Sequence, residues 1–226
     1  MAMNTLRRFA ATRTPKTHFL GKTFEANEAF RLLDVGSGNH SPSKTKLLFP
    51  NCEYHGLDLN LTYAYDAADK EALDAFYEMD LTLLQFESIP DDYFDFIRMV
   101  HVIEHLHNGE EVLFGLSKKL KVGGLIYLEY PGKRSTRLPS MRGSLNFYDD
   151  KSHVRVYDHQ SLGMGLKQWG FDIISSGMRR SWAYIFAIPL RVMAALLRGR
   201  AVQGNVFWDL LGFAEFVFAR KRAGRQ

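Results

Sequence analysis

A glycine turn at the end of a short apolar run constrains the fold of this chain more than any other feature. Residues 32–39 read Leu-Leu-Asp-Val-Gly-Ser-Gly-Asn, which is typical of a buried parallel strand that turns tightly into a helix. Gly36 and Gly38 suit such a turn because glycine adopts backbone angles that other residues avoid and lets a ligand come close. The pattern favours an open α/β sheet, in which ligands bind beyond the carboxyl ends of the strands.

A second apolar run ends in an acid. Residues 53–58 form it, and Asp58 at its end can accept hydrogen bonds from both hydroxyls of a ribose. The two features together predict a site for a nucleoside-containing cofactor. A dinucleotide site requires a third glycine at position 41, where this chain has Ser41. S-adenosylmethionine has no pyrophosphate and needs only the glycine turn, so the residues favour it over NAD.

Apolar and helical segments alternate along the chain, which predicts a parallel sheet covered on both faces. Asp158 is placed to cap one predicted helix and Asn108 another, because short polar side chains satisfy the free amides at a helix start. The predicted strands are 31–35, 53–58, 76–80, 94–100, 124–130, 171–178 and 213–220. The predicted helices are 42–49, 67–76, 109–119 and 159–168.

The length of 226 residues and the ordinary globular composition agree with one domain spanning residues 1–226. The single cysteine, Cys52, excludes an internal disulfide and fits a reducing compartment. The basic N-terminus lacks the apolar segment of a signal peptide. A cytoplasmic location is therefore expected.

Several segments in this order are similar to the motifs of the class I S-adenosylmethionine-dependent methyltransferases. The chain resembles that family, and its small-molecule, type 11-like members in particular, from about Arg31 to Phe171. The resemblance implies a Rossmann-like fold with a seven-stranded, mostly parallel sheet, helices on both faces and S-adenosylmethionine as cofactor. The matching segments are Asp34–Gly38, Asp58, Met79–Leu81, residues 94–100, His101–Leu106 and residues 120–129.

The resemblance also implies roles for individual residues. The first motif wraps the methionine part of the cofactor. The acid at the end of strand two and the residue after it hold the ribose, and the acid after strand three accepts a hydrogen bond from the adenine amino group. His40 stands where many members have another glycine, which predicts a wider turn. The implied cofactor-binding residues are Asp34, Gly36, Ser37, Gly38, Asp58, Leu59, Asp80, Leu81 and His101.

His153 and His101 are the candidate catalytic residues. His153 belongs to residues 149–157, which follow a loop at 131–144 that is long enough to be a lid. This segment resembles an element that many small-molecule methyltransferases place over the active site. The ordinary pKa of histidine suits a base that removes a hydroxyl proton. In the alternative interpretation, His153 only orients the loop.

Residues 101–105 also spell the H-x-x-E-H pattern of a zinc protease. That chemistry needs both histidines on one face of a helix, whereas here the pattern directly follows a predicted strand. A loop is expected instead, with His105 closing the end of the sheet and starting the next helix. The sequence therefore predicts no metal site.

The charges are uneven, and the C-terminal part is unusually apolar. Residues 1–22 form a basic N-terminal arm with five basic residues and no acid, and residues 179–226 contain nine basic residues but only two acids. Residues 182–211 form a hydrophobic insertion before the last strand. Its first apolar run, 182–197, holds 16 residues with Pro189 and Arg191 inside, which is short for a membrane span of about 20 apolar residues. The insertion suits an interfacial helix at an anionic membrane surface, or equally a hydrophobic cap or a homodimer contact.

These inferences predict a methyltransferase that acts on a small-molecule, sugar or lipid-linked acceptor, at oxygen. One alternative is an adenosylmethionine-binding module without catalysis. Another is a nucleic-acid methyltransferase. The chain lacks the Asn/Asp-Pro-Pro-Tyr/Phe step of amino-methylating enzymes after strand four and has His101-Val102-Ile103-Glu104 there, which argues against nucleic acid as a partner.

Overall fold

A seven-stranded sheet forms the centre of the molecule. The computed structural model describes residues 15–38, 40–61 and 65–223. The strand order is β3-β2-β1-β4-β5-β7-β6; β7 is antiparallel to both neighbours and the other pairs are parallel. The strands are β1 Phe30–Val35, β2 Cys52–Asp58, β3 Ala75–Glu78, β4 Phe94–Val100, β5 Leu120–Pro131, β6 Phe171–Met178 and β7 Ala214–Lys221. The predicted fold class is confirmed.

Both faces of the central strands are buried. Leu32 and Leu33 are neighbours on β1, yet they belong to separate apolar clusters, because successive side chains of a strand point to opposite faces. Burial on both faces explains why the strands read as continuous apolar runs. The helices are α1 His18–Thr23, α2 Ser41–Leu48, α3 Ala67–Glu71, α4 Gly109–Ser117, α5 His159–Gln168, α6 Trp182–Phe186, α7 Ile188–Leu197 and α8 Trp208–Leu211.

The described part of the predicted basic arm packs on the sheet. Leu20 of α1 is buried in the cluster that also contains Leu32, and the ring of Phe19 lies 4.4 Å from that of Phe218 on β7. Residues 15–22 are therefore part of the packed structure. Residues 1–14 of the arm lie outside the described residues.

Three local predictions are corrected. The helix expected at 67–76 ends at Glu71, because the chain turns there to the sheet edge, where the Asp74 carboxylate accepts a hydrogen bond from the Tyr54 amide at 2.6 Å. His105 ends a short 3-10 turn, Ile103–His105, and α4 begins only at Gly109. Asn108 precedes α4, but its side chain donates to the Thr82 carbonyl instead of capping the helix.

The segment between β6 and β7, residues 182–211, folds into α6, α7, a 3-10 turn and α8. Many of its apolar side chains face outward, among them Phe186 and Leu197, which are 76% and 82% exposed. Among the residues that the structure describes, no helix is both long enough and apolar enough to cross a bilayer.

Candidate active site

A buried ion pair lies beneath the glycine turn. Asp34 on β1 and Arg98 on β4 are direct neighbours across the sheet, and both are 0% exposed. Arg98 donates to the two carboxylate oxygens of Asp34 at 2.8 and 2.6 Å. Burial raises the pKa of Asp34, but Arg98, Lys16 and the Ser41 hydroxyl together outweigh it and lower that pKa to about 2. The pair supports a positioning role for Asp34, and its direct contact with a cofactor stays a prediction.

Other groups complete this network. The Ser41 hydroxyl donates to Asp34 at 2.5 Å, and the Tyr54 hydroxyl donates to the same oxygen. Arg98 also donates to Thr45 at 3.1 Å. The start of α2 is thereby fixed to β1, β2 and β4 immediately after the turn.

The glycine turn has no room for a side chain at Gly36. Its φ is +72°, and a Cβ built there would lie 2.3 Å from Cγ2 of Val102. The amide of Gly36 donates to the Leu57 carbonyl at 2.8 Å. The turn is thus held between the end of β2 and the loop after β4, with Gly38 following it on the chain.

The end of β2 lies next to this turn. The Ser37 and Tyr65 hydroxyls are 2.6 Å apart, and the Tyr65 hydroxyl donates to Asp58 at 3.2 Å. The other oxygen of Asp58 accepts from the Leu59 amide at 2.8 Å. Ser37 and Asp58 are therefore brought together as predicted, whereas the bridging residue, Tyr65, was not identified from the sequence.

The acid after β3 is exposed. Asp80 accepts hydrogen bonds from the Thr82 amide at 2.9 Å and the Thr82 hydroxyl at 2.7 Å. These bonds lower the pKa of Asp80. Leu81 is buried beside it. Both residues follow β3, at the same sheet edge as Asp58.

His101 lies between two buried acids. Its Nδ1 is 3.2 Å from Glu104 and its Nε2 is 3.3 Å from Glu129, while Trp208 lies 5.0 Å from its ring. Burial alone would lower the pKa of His101, but the two glutamates raise it to about 9. Burial raises the pKa of Glu129, but Arg179 and His101 lower it to about 2. His101 is therefore a cation at neutral pH.

A cavity of about 470 Å³ opens beside His101. Its floor contains groups from the carboxyl ends of β4 and β5, and its roof comes from the β6–β7 segment. Cationic, anionic and aromatic side chains share its wall. The lining includes Lys44, Arg98, Glu129, Arg179, Tyr184, Arg191, Trp208 and Asp209.

His153 lies on the other side of Glu104. Its Nε2 is 4.0 Å from a Glu104 oxygen, and its Nδ1 is 2.7 Å from the Phe147 carbonyl. The amide of Val154 donates to the Glu104 carbonyl at 2.9 Å, which ties the loop to the turn after β4. The structure thus connects the two predicted catalytic histidines through Glu104, a residue that was not among the site residues predicted from the sequence.

Comparison with known proteins agrees with this geometry. A model of the methyltransferase domain matches residues 3–176, which is well over half of the chain. The chain belongs to the methyltransferase domain family. The predicted class I S-adenosylmethionine-dependent methyltransferase is thereby confirmed, with S-adenosylmethionine as cofactor. The match ends before residues 182–211.

Solved methyltransferase structures share the fold of this methyltransferase. An S-adenosylmethionine-dependent methyltransferase from Archaeoglobus fulgidus has 20% identity and a TM-score of 0.59, over 95% of this chain and 94% of that one. One from Mesorhizobium loti has 15% identity and a TM-score of 0.63, over 92% and 98%. Phosphoethanolamine N-methyltransferase 2 from Haemonchus contortus, in complex with S-adenosyl-L-methionine, has 17% identity and a TM-score of 0.64, over 96% of this chain and 53% of that one. No protein of curated function matches the sequence.

The residues at the carboxyl edge fit S-adenosylmethionine. The turn at Gly36 has no side chain and no room for one. Asp58 has one carboxylate oxygen whose only partner among the described residues is the 3.2 Å bond from Tyr65, so it can accept from a ribose hydroxyl. Asp80 is exposed on the next strand end, where an amino group can reach it.

Proposed function

We propose that this methyltransferase transfers the methyl group to an oxygen of a small-molecule, sugar or lipid-linked acceptor. The proposal rests on the cavity between His101 and the β6–β7 segment. Its roof comes from residues beyond the matched methyltransferase domain. A shared core serves a shared cofactor, so a segment outside that core suits recognition of the acceptor.

The cavity wall suits a hydroxylated ring. Tyr184 and Trp208 offer flat apolar faces, while Arg179, Arg191 and Asp209 offer hydrogen-bonding groups. Binding sites of this kind combine apolar walls with a few polar groups that fix orientation. A sugar presents both a face of C–H groups and a rim of hydroxyls.

The cofactor site proposed for this chain lies along the turn and the strand ends. Gly36, Ser37 and Gly38 surround the methionine part, with Asp34 supporting them from below. Asp58 and Leu59 hold the ribose, and Asp80 and Leu81 the adenine. This arrangement is supported by the positions of these residues along one edge of the sheet.

The reaction is an in-line displacement at the sulfonium methyl carbon. The acceptor oxygen forms a bond to that carbon, and the electrons of the carbon–sulfur bond return to sulfur, which releases S-adenosylhomocysteine. Alignment of the two reactants is the main demand on the protein. His101 is charged at neutral pH and cannot accept the hydroxyl proton, so we assign it to orientation. His153 has an Nε2 able to accept that proton, since its Nδ1 donates to Phe147.

The exposed apolar side chains of α6 and α7 support a peripheral contact with an anionic membrane surface. Arg198 and Arg200 follow α7 directly and are exposed, and basic residues near such a surface contribute about 1 kcal/mol each. A lipid-linked acceptor would be presented there. The outward-facing apolar residues are Trp182, Phe186, Leu190, Met193, Leu196 and Leu197.

Release of S-adenosylhomocysteine in the presence of a panel of acceptors tests the proposal. The panel pairs hydroxylated compounds, including sugars and lipid-linked glycans, with amine analogues and single-stranded nucleic acid. We expect turnover only with hydroxyl acceptors, and mass spectrometry of the product should place the methyl group on oxygen. Turnover with amines or nucleic acid would contradict the oxygen assignment, and no turnover with any acceptor would favour the non-catalytic binding module.

Two variants test the cavity itself. Arg191→Met should raise the KM for the acceptor while leaving the affinity for S-adenosylmethionine within a few-fold. Trp182→Ala is the matched control, because Trp182 lies on the same segment and does not line this cavity. Equal effects of the two substitutions with a water-soluble acceptor would argue against acceptor binding in the cavity.

A further inference from the structure

Three side chains that commonly bind metals converge beside His101. Glu104 and His105 belong to the turn after β4 and His153 to the loop before α5, and each offers one ligand atom within 4.8 Å of the other two. The closest measured pair, His153 Nε2 and Glu104 Oε1, is 4.0 Å apart. Residues distant in the chain are thus brought to one point by the fold.

Hydrogen bonds orient both histidine rings for ligation. His153 Nδ1 lies 2.7 Å from the Phe147 carbonyl, and His105 Nδ1 lies 3.2 Å from the Ser152 carbonyl. A carbonyl only accepts, and the Ser152 hydroxyl, 3.0 Å from His105 Nδ1, donates to Asp150 at 2.5 Å, so each Nδ1 carries the proton and each Nε2 keeps its lone pair. Metal-binding histidines are held in this way, with the other ring nitrogen donating to a carbonyl or carboxylate.

The third side chain has an unpaired oxygen. Glu104 is 0% exposed, and its Oε2 has no hydrogen-bond partner among the described residues. A buried polar atom without a partner is costly and calls for an explanation, such as an ion. The oxygen nearer His153 is Oε1, which also lies 3.2 Å from His101 Nδ1, so a cation between the two imidazoles would supply the missing interaction once the carboxylate turns Oε2 toward it.

A fourth side chain lies at the solvent side. Asp150 Oδ2 is 3.9 Å from His153 Nε2, while its Oδ1 accepts from the Ser152 amide at 2.9 Å. The Asp150 side chain is 42% exposed, so an ion can reach the cluster from solvent. Asp150 is therefore available as a further ligand at the mouth of the site.

The spacing and the donor types identify the class of ion. Three ligands on bonds of about 2.1 Å lie about 3.4–3.6 Å apart, so the 4.0 Å pair closes by about 0.5 Å on binding and the other pairs, now within 4.8 Å, by at most about 1.4 Å. Two imidazoles with carboxylates favour first-row transition metals over Mg²⁺ or Ca²⁺. We propose that Glu104, His105 and His153 bind one divalent first-row transition metal ion, with Asp150 at its solvent side.

This site revises the expectation that the chain holds no metal. That expectation considered His101 and His105 as the pair in H-x-x-E-H, whereas the fold turns His101 toward Glu129 and brings His153 to Glu104 and His105. A bound cation lowers the pKa of a hydroxyl that ligates it. With the Nε2 of His153 bound to metal, the cation would take the place of His153 in preparing an acceptor hydroxyl for methyl transfer, a consequence that rests on the oxygen acceptor proposed above.

Metal binding by the full chain tests the proposal without cofactor or acceptor. The protein is treated with a chelator, loaded separately with Mn²⁺, Co²⁺ or Zn²⁺, passed through a desalting column and analysed for bound metal. We expect one ion per chain and visible absorption bands for the Co²⁺ form. His105→Ala and His153→Ala should each lower the affinity at least ~10-fold.

A second cluster provides the matched control. His40, Asp66 and Asp69 also have ligand atoms within 4.8 Å of one another, so His40→Ala removes a comparable ligand outside the proposed site. This variant should bind metal like the wild type. Glu104 is buried and its substitution can prevent folding, whereas His105 is only half-buried and keeps the test informative.

Three results would overturn the site: no ion retained by the wild type, an ion retained equally by His105→Ala and His153→Ala, or an ion lost only in His40→Ala. Because binding is measured without methyl transfer, a failed metal site is distinguishable from a failed acceptor proposal.

Discussion

Replacement of Arg98 by methionine should strongly destabilise the protein. The substitution keeps most of the side-chain volume but leaves the Asp34 carboxylate buried at 0% exposure without its two guanidinium bonds. Removal of one partner of a buried ion pair costs about 3–5 kcal/mol, out of a total stability of about 5–15 kcal/mol. With a urea m-value of about 2–3 kcal/mol/M, the unfolding midpoint should fall by about 1–2.5 M.

The assay is equilibrium urea unfolding followed by circular dichroism. Arg31→Met is the control, because Arg31 forms a 3.1 Å pair with Glu53 in which both side chains are about 40% exposed, and ion pairs open to solvent contribute little. The double variant Asp34→Leu with Arg98→Met should recover much of the loss, since an apolar pair can replace a buried ion pair. An Arg98→Met midpoint equal to that of Arg31→Met would refute the structural role of the pair.

The pH dependence of Arg98→Met gives an independent check. Because the pKa of Asp34 is lowered to about 2 in the folded protein, its stabilisation is present above the ordinary pKa of about 4 and is lost as pH falls toward 2. The stability difference between wild type and Arg98→Met should therefore shrink as the pH falls through that range.

Three further predictions concern the histidines and the β6–β7 segment. His101 has a raised pKa of about 9, so the stability that its charged form adds to the fold is present below pH about 6.5 and is lost as pH rises through 9. Thermal melts of His101→Gln should lack this alkaline loss of stability, and a loss equal to that of the wild type would contradict the charge assignment. His153→Ala should lower kcat while S-adenosylmethionine affinity stays within a few-fold, and an unchanged kcat at saturating acceptor would remove His153 from the mechanism. Flotation should show binding to anionic vesicles that high salt reverses, whereas absence from both anionic and neutral vesicles would make the exposed segment a cap or dimer surface.

Much of the fold could be predicted because its signals are local. The apolar runs, the glycine turn and the capping residue Asp158 each depend on a few adjacent residues. All seven predicted strands are present to within a few residues at their ends. The end of α3 was missed because it depends on a contact between Asp74 and Tyr54, which are 20 residues apart in the chain.

The interactions around the site could not be predicted in the same way. The pairing of Asp34 with Arg98 depends on the order of strands in the sheet, although a charged residue inside the apolar run 94–100 was a signal that it needed a buried partner. Glu129, a charged residue near the end of the apolar strand β5, was a signal of the same kind. The approach of His153 to Glu104 depends on the path of a long loop, for which the sequence contains no spacing rule.

Titration calorimetry with S-adenosylmethionine and NAD tests the central claim most directly, namely that the glycine turn and Asp58 form the cofactor site. We expect one S-adenosylmethionine per chain and no heat from NAD. Asp58→Ala should weaken binding by about 1.5–3 kcal/mol, the usual contribution of hydrogen bonds to a charged group, with Asp172→Ala, an exposed acid on β6, as the control. NAD binding without S-adenosylmethionine binding, or equal affinities for wild type and Asp58→Ala, would contradict the account.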